Sequence, residues 1–198
     1  MSGFRVLSVA SEGLRRLLWN SFAADPALAE LLGTEEGIVF DNPTETAKDS
    51  SRRLSLWLYH VAEDEHLKNT PSVRLSDGRF RMTPLALDLY YLLTPFALSG
   101  VAGHQMLGRA MQTFYDTSTV RVTDGQPGGV NEELRITLYR RSLDEISQVW
   151  QALREPYRLS VCYQVKVTRL DSARNDASVP VIQVSAEWEP HLDRAVAS

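Results

Sequence analysis

The sequence predicts an α+β domain: a mixed, mainly antiparallel sheet of about five to six strands packed with three to four helices. Three observations point there. Residues 54–62 and 85–93 carry apolar side chains on both alternating faces, the pattern of strands covered on both sides. Residues 6–22, 100–116 and 143–153 instead repeat their apolar positions every three or four residues, which is the helical period. The last two expected strands are separated by the short polar stretch 171–178, a spacing that favours antiparallel pairing.

In chain order, Val6, Val9, Ala10, Gly13, Leu14, Leu17 and Leu18 share one helical face, with Glu12, Arg15 and Arg16 opposite, so an amphipathic helix is expected over residues 6–22. Asp25-Pro26 starts a short second helix through Leu32. The aspartate caps orphan N–H groups, the proline fits the first helical position, and Gly33 stops the helix. Residues 38–40 make a brief edge strand. Leu54, Leu56 and Leu58 line one face of the next strand, and Trp57, Tyr59 and Val61 the other. Residues 69–82, with Pro71 and the turn triplet Ser76-Asp77-Gly78, read as a loop or small hairpin. In the strand that follows, Leu85, Leu87, Leu89, Tyr91 and Leu93 oppose Ala86, Asp88, Tyr90 and Leu92.

A second long helix, with Met106, Leu107, Ala110, Met111 and Phe114 on one face, follows Gly100 and Gly103 and runs to about Asp116. Residues 124–129 (Asp-Gly-Gln-Pro-Gly-Gly) interrupt regular structure. Leu134, Ile136 and Leu138 alternate with Arg135, Thr137 and Tyr139, a strand with one wet face. Ser142 with Glu145 forms a capping box, and Leu143, Ile146, Val149, Trp150 and Leu153 give that helix its buried stripe up to the stop set by Pro156. Val161, Tyr163, Val165 and Val167 face away from Cys162, Gln164 and Lys166 on the next strand. Residues 179–188 make a last strand, with Ile182, Val184 and Ala186 on its apolar side. One domain is expected over 1–190, with 191–198 a loose tail.

Composition narrows the function. A formal charge of −4, with basic residues clustered only as the pairs Arg15-Arg16, Arg52-Arg53 and Arg140-Arg141, does not suit a polyanion, so nucleic acid is not an expected partner. Cys162 is the sole cysteine, which leaves no intramolecular disulfide and fits a reducing compartment. The opening MSGFRVLSVASEGL lacks the charged stretch and apolar run of a secretory signal, and no run of about 18 apolar residues appears. Cytoplasmic residence without membrane insertion is the expectation.

Chemistry-bearing constellations are sparse. His60, Glu63, Asp64, Glu65 and His66 offer metal-ligand types, but the histidines stand six apart, whereas a zinc-protease helix needs them four apart with a glutamate after the first. A solvated acidic turn fits better. Cys162 lies mid-strand, where a thiol is a small filler unless a base stands beside it. His104 and His191 have no acid–base neighbours in sequence. Gly125, Gly128 and Gly129 lead into a strand and lack the Gly-Lys-Ser/Thr that opens a phosphate-binding helix. No catalytic residue, metal or cofactor is expected. The aromatics Trp57, Tyr59, Tyr90 and Tyr91 leave two readings: burial beneath the chain's own helices, or contact with a partner. Trp57, Tyr59, Tyr90 and Trp188 are the candidate interface residues.

The segments TPLALDLYYLLTPF (83–96), GRAMQTFYD (108–116) and LRITLYRRSLDEISQVWQALREPYRLSVCYQVKVTRL (134–170) resemble, in their order and together, the cap or tail-terminator proteins of contractile injection systems. The resemblance implies a tail-terminator-like fold and a structural role. Such proteins form a ring, six-fold by this resemblance, on the distal end of the inner tube and contractile sheath. Head-to-tail polymers leave an unsatisfied end, and a ring closes it without offering a new one. The implied partners are further copies of the chain, as a homohexamer, and the sheath and inner-tube proteins, within a particle assembled in the cytoplasm. Some members are considerably longer, and none offers catalytic residues to carry over. Two other readings stand beside this one. One is a baseplate or tail-completion adaptor joining tubes of unlike width, and the other a small enzyme using His60, Glu63, His66 or Cys162.

Overall fold

Strand β5 (Leu85–Pro95) occupies the middle of the sheet, as its two apolar faces require. The computed structural model describes residues 4–65, 73–74, 80–81, 84–126 and 129–170. Beside β5 lie β2 (Leu54–Glu63) and β8 (Val161–Leu170), both antiparallel to it. Outside β8 come β7 (Asn131–Leu138) and β6 (Thr119–Thr123), and outside β2 the two-residue β1 (Ile38–Val39). The six-stranded order is β1-β2-β5-β8-β7-β6, and only β1 runs parallel to its neighbour. Within the expected loop or hairpin, β3 (Val73–Arg74) and β4 (Phe80–Arg81) form a separate antiparallel pair.

One face of the sheet carries the main core. Leu89, Tyr91 and Leu93 of β5 are fully buried there against Leu14, Leu18 and Phe22 of α1 (Val6–Ala23) and Met106 and Ala110 of α4 (Gly100–Asp116). Polar bonds fix how the two helices sit. Ser11 of α1 and Tyr91 of β5 share a buried hydrogen bond of 2.9 Å. Arg109 of α4 donates through Nη2 to the Ser21 carbonyl at 2.7 Å, and the Thr113 hydroxyl donates to Ser21 Oγ at 2.6 Å. Gly13 lets α1 lie against β6, for a Cβ there would overlap Val122 Cγ1. The short α2 (Pro26–Leu32) starts and stops as expected, with Asp25 Oδ1 accepting from the Ala27 N–H and Gly33 at φ 82°.

α5 (Leu143–Ala152) lies on the other face and begins with the expected capping box, Glu145 N–H to Ser142 Oγ at 3.2 Å and Ser142 N–H to Glu145 Oε2 at 2.8 Å. Its end differs from expectation. The helix stops at Ala152, before proline can act, because Arg154 adopts the left-handed conformation (φ 57°). There the Arg154 N–H bonds the Gln151 carbonyl and the Glu155 N–H bonds that of Trp150, a Schellman closure with arginine where glycine is usual. Leu143, expected in the buried stripe, is 64% exposed, since it starts the helix outside the footprint on the sheet.

Three further differences have physical causes. A bulge at Tyr59 sets Leu58 opposite Tyr91 and His60 opposite Tyr90, leaving Tyr59 as the extra residue. Beyond it the facing is inverted: Val61, expected beside Trp57, pairs with Leu89 on the α1–α4 side, and His60 comes to the α5 side. Strand β6 was not expected, although Thr-Val-Arg-Val-Thr alternates, because it is only five residues long and follows a helix after two residues. The four-residue α3 (Pro43–Thr46), capped by Asn42, was also unanticipated and brings the helices to five among the described residues. The expected strand at 179–188 and the tail at 191–198 lie outside the described residues. No helix among the described residues is long and apolar enough to cross a membrane.

Replacing Gly13 by valine places a branched side chain into the α1–β6 contact. A loss of about 1–3 kcal/mol is expected from the overpacking, read as a lower urea midpoint at unchanged slope.

Candidate interaction surface

α5 is held to the sheet by one deep side chain. Trp150 is 1% exposed, packs on Leu92 of β5 and Cys162 of β8, and donates through Nε1–H to Ser160 Oγ at 3.3 Å. Around this small cluster Trp57, Tyr59, Tyr139, Ile146, Val149 and Leu153 are only partly buried, because ten helical residues cannot span the sheet. The result is a chain of rings crossing the strands: Trp57 to Tyr59 at 6.0 Å between centroids, Tyr59 to Tyr90 at 6.5 Å, and Tyr90 edge-on to Tyr139 at 4.9 Å. The bulge brings exposed His60 to 5.3 Å from Tyr90. Arg141 stacks over Tyr139 at 4.8 Å and pairs with Glu145 at 2.7 Å, which joins this ring chain to the helix cap.

Three of the four candidate interface residues, Trp57, Tyr59 and Tyr90, therefore meet on one face, where each keeps part of its surface in water. The fourth, Trp188, lies outside the described residues. Tyr91 belongs to the opposite face and is fully buried. α5 covers the Trp57 and Tyr59 end of this face, and rings and polar groups remain open beyond it.

Past Tyr90 the face becomes charged. Lys166 Nζ donates to Asp64 Oδ2 at 2.8 Å and stands 3.7 Å from Asp88 Oδ1. Asp64 is 5% exposed, which corrects the expectation of a wholly solvated turn: the Asp64 N–H bonds the Ala86 carbonyl, extending the β2–β5 ladder and drawing its carboxylate onto the lysine. The hydrogen bond from Lys166 to the Asp64 carboxylate, above all, raises the Lys166 pKa. Glu63 and Glu65 are exposed, and His66 is outside the described residues. Among the described residues no group of three or more His, Cys, Asp or Glu could hold a metal ion.

Cys162 is 3% exposed, and burial pushes its thiol pKa up, which keeps it protonated at neutral pH and unsuited to attack. His104 is exposed on the first turns of α4. After β6 the Asp124 carboxylate accepts from the Gln126 N–H at 3.1 Å and lies 3.5 Å from Arg5.

Sequence reasoning missed a second surface. Between the end of α4 and β7 lies a groove of about 650 Å³, walled by Met111, Phe114, Tyr115, Ile136, Leu138 and Tyr163. Tyr115 is 85% exposed and Leu138 47%. The signal was the brevity of β6, which leaves the end of β7 uncovered.

With this geometry in hand, comparisons place the chain among known proteins. Residues 10–184 match the family described as the Pvc16 N-terminal domain. Comparison with curated protein sequences finds no match. Among solved structures the chain is similar to the sheath/tube terminator of an extracellular contractile injection system, PVC, in its extended state. The TM-score is 0.58 at 20% identity, over 98% of this chain and 67% of that one. It is also similar to the tube-terminating cap of the anti-feeding prophage, with TM-score 0.57 and 21% identity over 91% of this chain. The chain spans 61% of the length of that cap.

Burial, chiefly, pushes the pKa values of Tyr59, Tyr91 and Tyr163 up to about 12. An unfolded chain releases phenolic protons near about 10, so the folded state binds more protons between those values. Stability from this source is present below about pH 10 and lost as pH rises toward about 12. The urea midpoint is expected to fall over that window while tyrosinate absorbance lags behind that of free tyrosine. All tyrosines ionising near about 10 in a chain that stays folded would contradict these burials.

Proposed function

This chain belongs to the Pvc16 N-terminal domain family, and from that premise we propose that it is a structural cap, assembling as a ring on the distal end of the tube and sheath of a contractile injection particle. The observation that carries the reading is the family match over residues 10–184, supported by a fold shared with two terminators of such particles. The physical role is closure. Tube and sheath grow by head-to-tail contacts, so each added layer re-creates the face it covered, and growth stops only when a subunit binds that face without presenting another like it. A ring of this chain, six-fold by analogy with the family, does so through shape and adhesion, without turnover, cofactor or nucleic acid. It joins the particle in the cytoplasm.

The half-covered aromatic face is the contact this reading assigns to the polymer. Trp57, Tyr59 and Tyr90 present ring edges and faces at low entropic cost because the sheet beneath already fixes them, the property that makes such residues dominant anchors in interfaces.

Removing the chain from cells that build the particle is expected to give tubes and sheaths of uncontrolled length or particles that fall apart; normal particles of normal length overturn the reading. Labelled chain found at the spike end in particle images indicates an adaptor instead. Tyr90→Ala, at a partly exposed position, is expected to lower attachment to particle ends about tenfold or more, with the unfolding midpoint shifted by under about 1 kcal/mol.

A further inference from the structure

The two covers of the sheet are held on with very different strength. Among the described residues the main core joins 24 buried side chains, whereas the cluster beneath α5 joins three, Leu92, Trp150 and Cys162. Trp150 is the one buried residue of α5 itself, and its 3.3 Å bond to Ser160 is the only hydrogen bond that the helix makes beyond its own ends among the described residues. The backbone bonds of residues 142–155 likewise run within that segment: the helical turns, the capping box and the Schellman closure. Lifting α5 therefore breaks no ladder of the sheet. The closure is also strained, because Arg154 holds a φ of 57° that favours glycine. On either side of the helix, residues 140–142 and 156–159 form neither helix nor strand.

We infer that α5 is a lid, which leaves the sheet while the α1–α4 layer stays folded. A segment with so few buried apolar contacts opens before the rest of its domain. Ten residues are too few to stay helical alone in water, so lifting and unwinding are one event. Opening uncovers Leu92 and the hidden parts of Trp57 and Tyr59, and so enlarges the aromatic face that the cap reading assigns to the polymer. The lid rests on that reading for its role in attachment and not for its opening.

Cys162 reports the motion. It is the sole cysteine, 3% exposed and packed with Trp150, so an alkylating reagent reaches it only once the helix has lifted. Iodoacetamide at about pH 8, close to the ordinary thiol pKa of about 8.5, is expected to label the folded full-length chain. The rate is expected to rise little with urea below the unfolding transition, because a local opening exposes little surface. Trp150→Phe keeps a ring but loses the Ser160 bond, and labelling about tenfold faster is expected. Arg154→Gly relaxes the closure and is expected to slow labelling about threefold. Gly13→Val weakens the opposite layer and is expected to leave the rate within about twofold. Labelling that accelerates with Gly13→Val and climbs steeply with urea comes from global unfolding and overturns the lid, as does labelling indifferent to both α5 variants. At particle ends Trp150→Phe is expected to attach about threefold faster and Arg154→Gly more slowly, as the open population changes. Attachment rates equal to that of the unaltered chain overturn the lid's role there. A chain that labels as expected but never binds particles keeps the lid and loses the cap reading; one that caps particles while Cys162 stays closed to reagent until it unfolds does the reverse.

Discussion

Apolar residues on both faces of β5 oblige the chain to cover the sheet twice, and the two covers are unequal. On one side α1 and α4 together supply 35 residues of helix over Leu89, Tyr91 and Leu93, all fully buried. Each such side chain contributes about 1.5–3 kcal/mol when removed from water, so this layer holds the fold together. On the other side α5 offers ten residues and one deep anchor, Trp150. Its small footprint leaves Tyr90 and Lys166 half-exposed on a sheet that the first layer has already made rigid. The aromatic surface follows from that inequality.

The polar contacts refine this arrangement more than they stabilise it. Lys166, 39% exposed at its side chain, faces the nearly buried carboxylates of Asp64 and Asp88. Buried pairs of this kind roughly offset their own desolvation, so their effect is positional: residue 64, just past the end of β2, is tied to β8 across the intervening β5. Arg141 acts likewise at the other end of the same face. Bonded to Glu145 and stacked on Tyr139, it connects the end of β7 to the first turn of α5 and orients the ring next to Tyr90.

Much of the fold was legible in the sequence because the informative patterns were long. Both two-faced strands and the three longer helices emerged from periodicity and the capping box from the Ser142–Glu145 spacing, and the family resemblance agreed with them. What escaped was short or non-local. The bulge at Tyr59 breaks the two-residue alternation at a single position, which no periodic pattern within the strand records, and so Val61 was assigned to the wrong face. β6 is five residues with a turn signal only after it, and the groove created by its brevity depends on where a different strand, β7, happens to end. The gathering of Trp57, Tyr59 and Tyr90 was legible as a face, but the degree to which α5 covers it was not, since a helix's footprint depends on its height above the sheet.

A subunit that closes a polymer end needs unlike surfaces: one for the polymer, and two that differ from each other for its own neighbours in the ring. On the proposed cap reading, the unequal covers would supply the first of these without dedicated machinery. The thin α5 layer leaves aromatic rings open on the back of the sheet, while on the thick side the end of α4 overhangs a strand that β6 fails to reach, opening the groove near the sheet's margin. The second is concave and the first is not, so the two would suit partners of different shape. The two rest on neighbouring strands of one sheet, Trp57 and Tyr59 of β2 with Tyr90 of β5 on the aromatic face, and Ile136 and Leu138 of β7 with Tyr163 of β8 at the groove. Both surfaces thus rest on one hydrogen-bonded sheet, which on the proposed cap reading would hold the aromatic face in fixed register with the rest of the subunit.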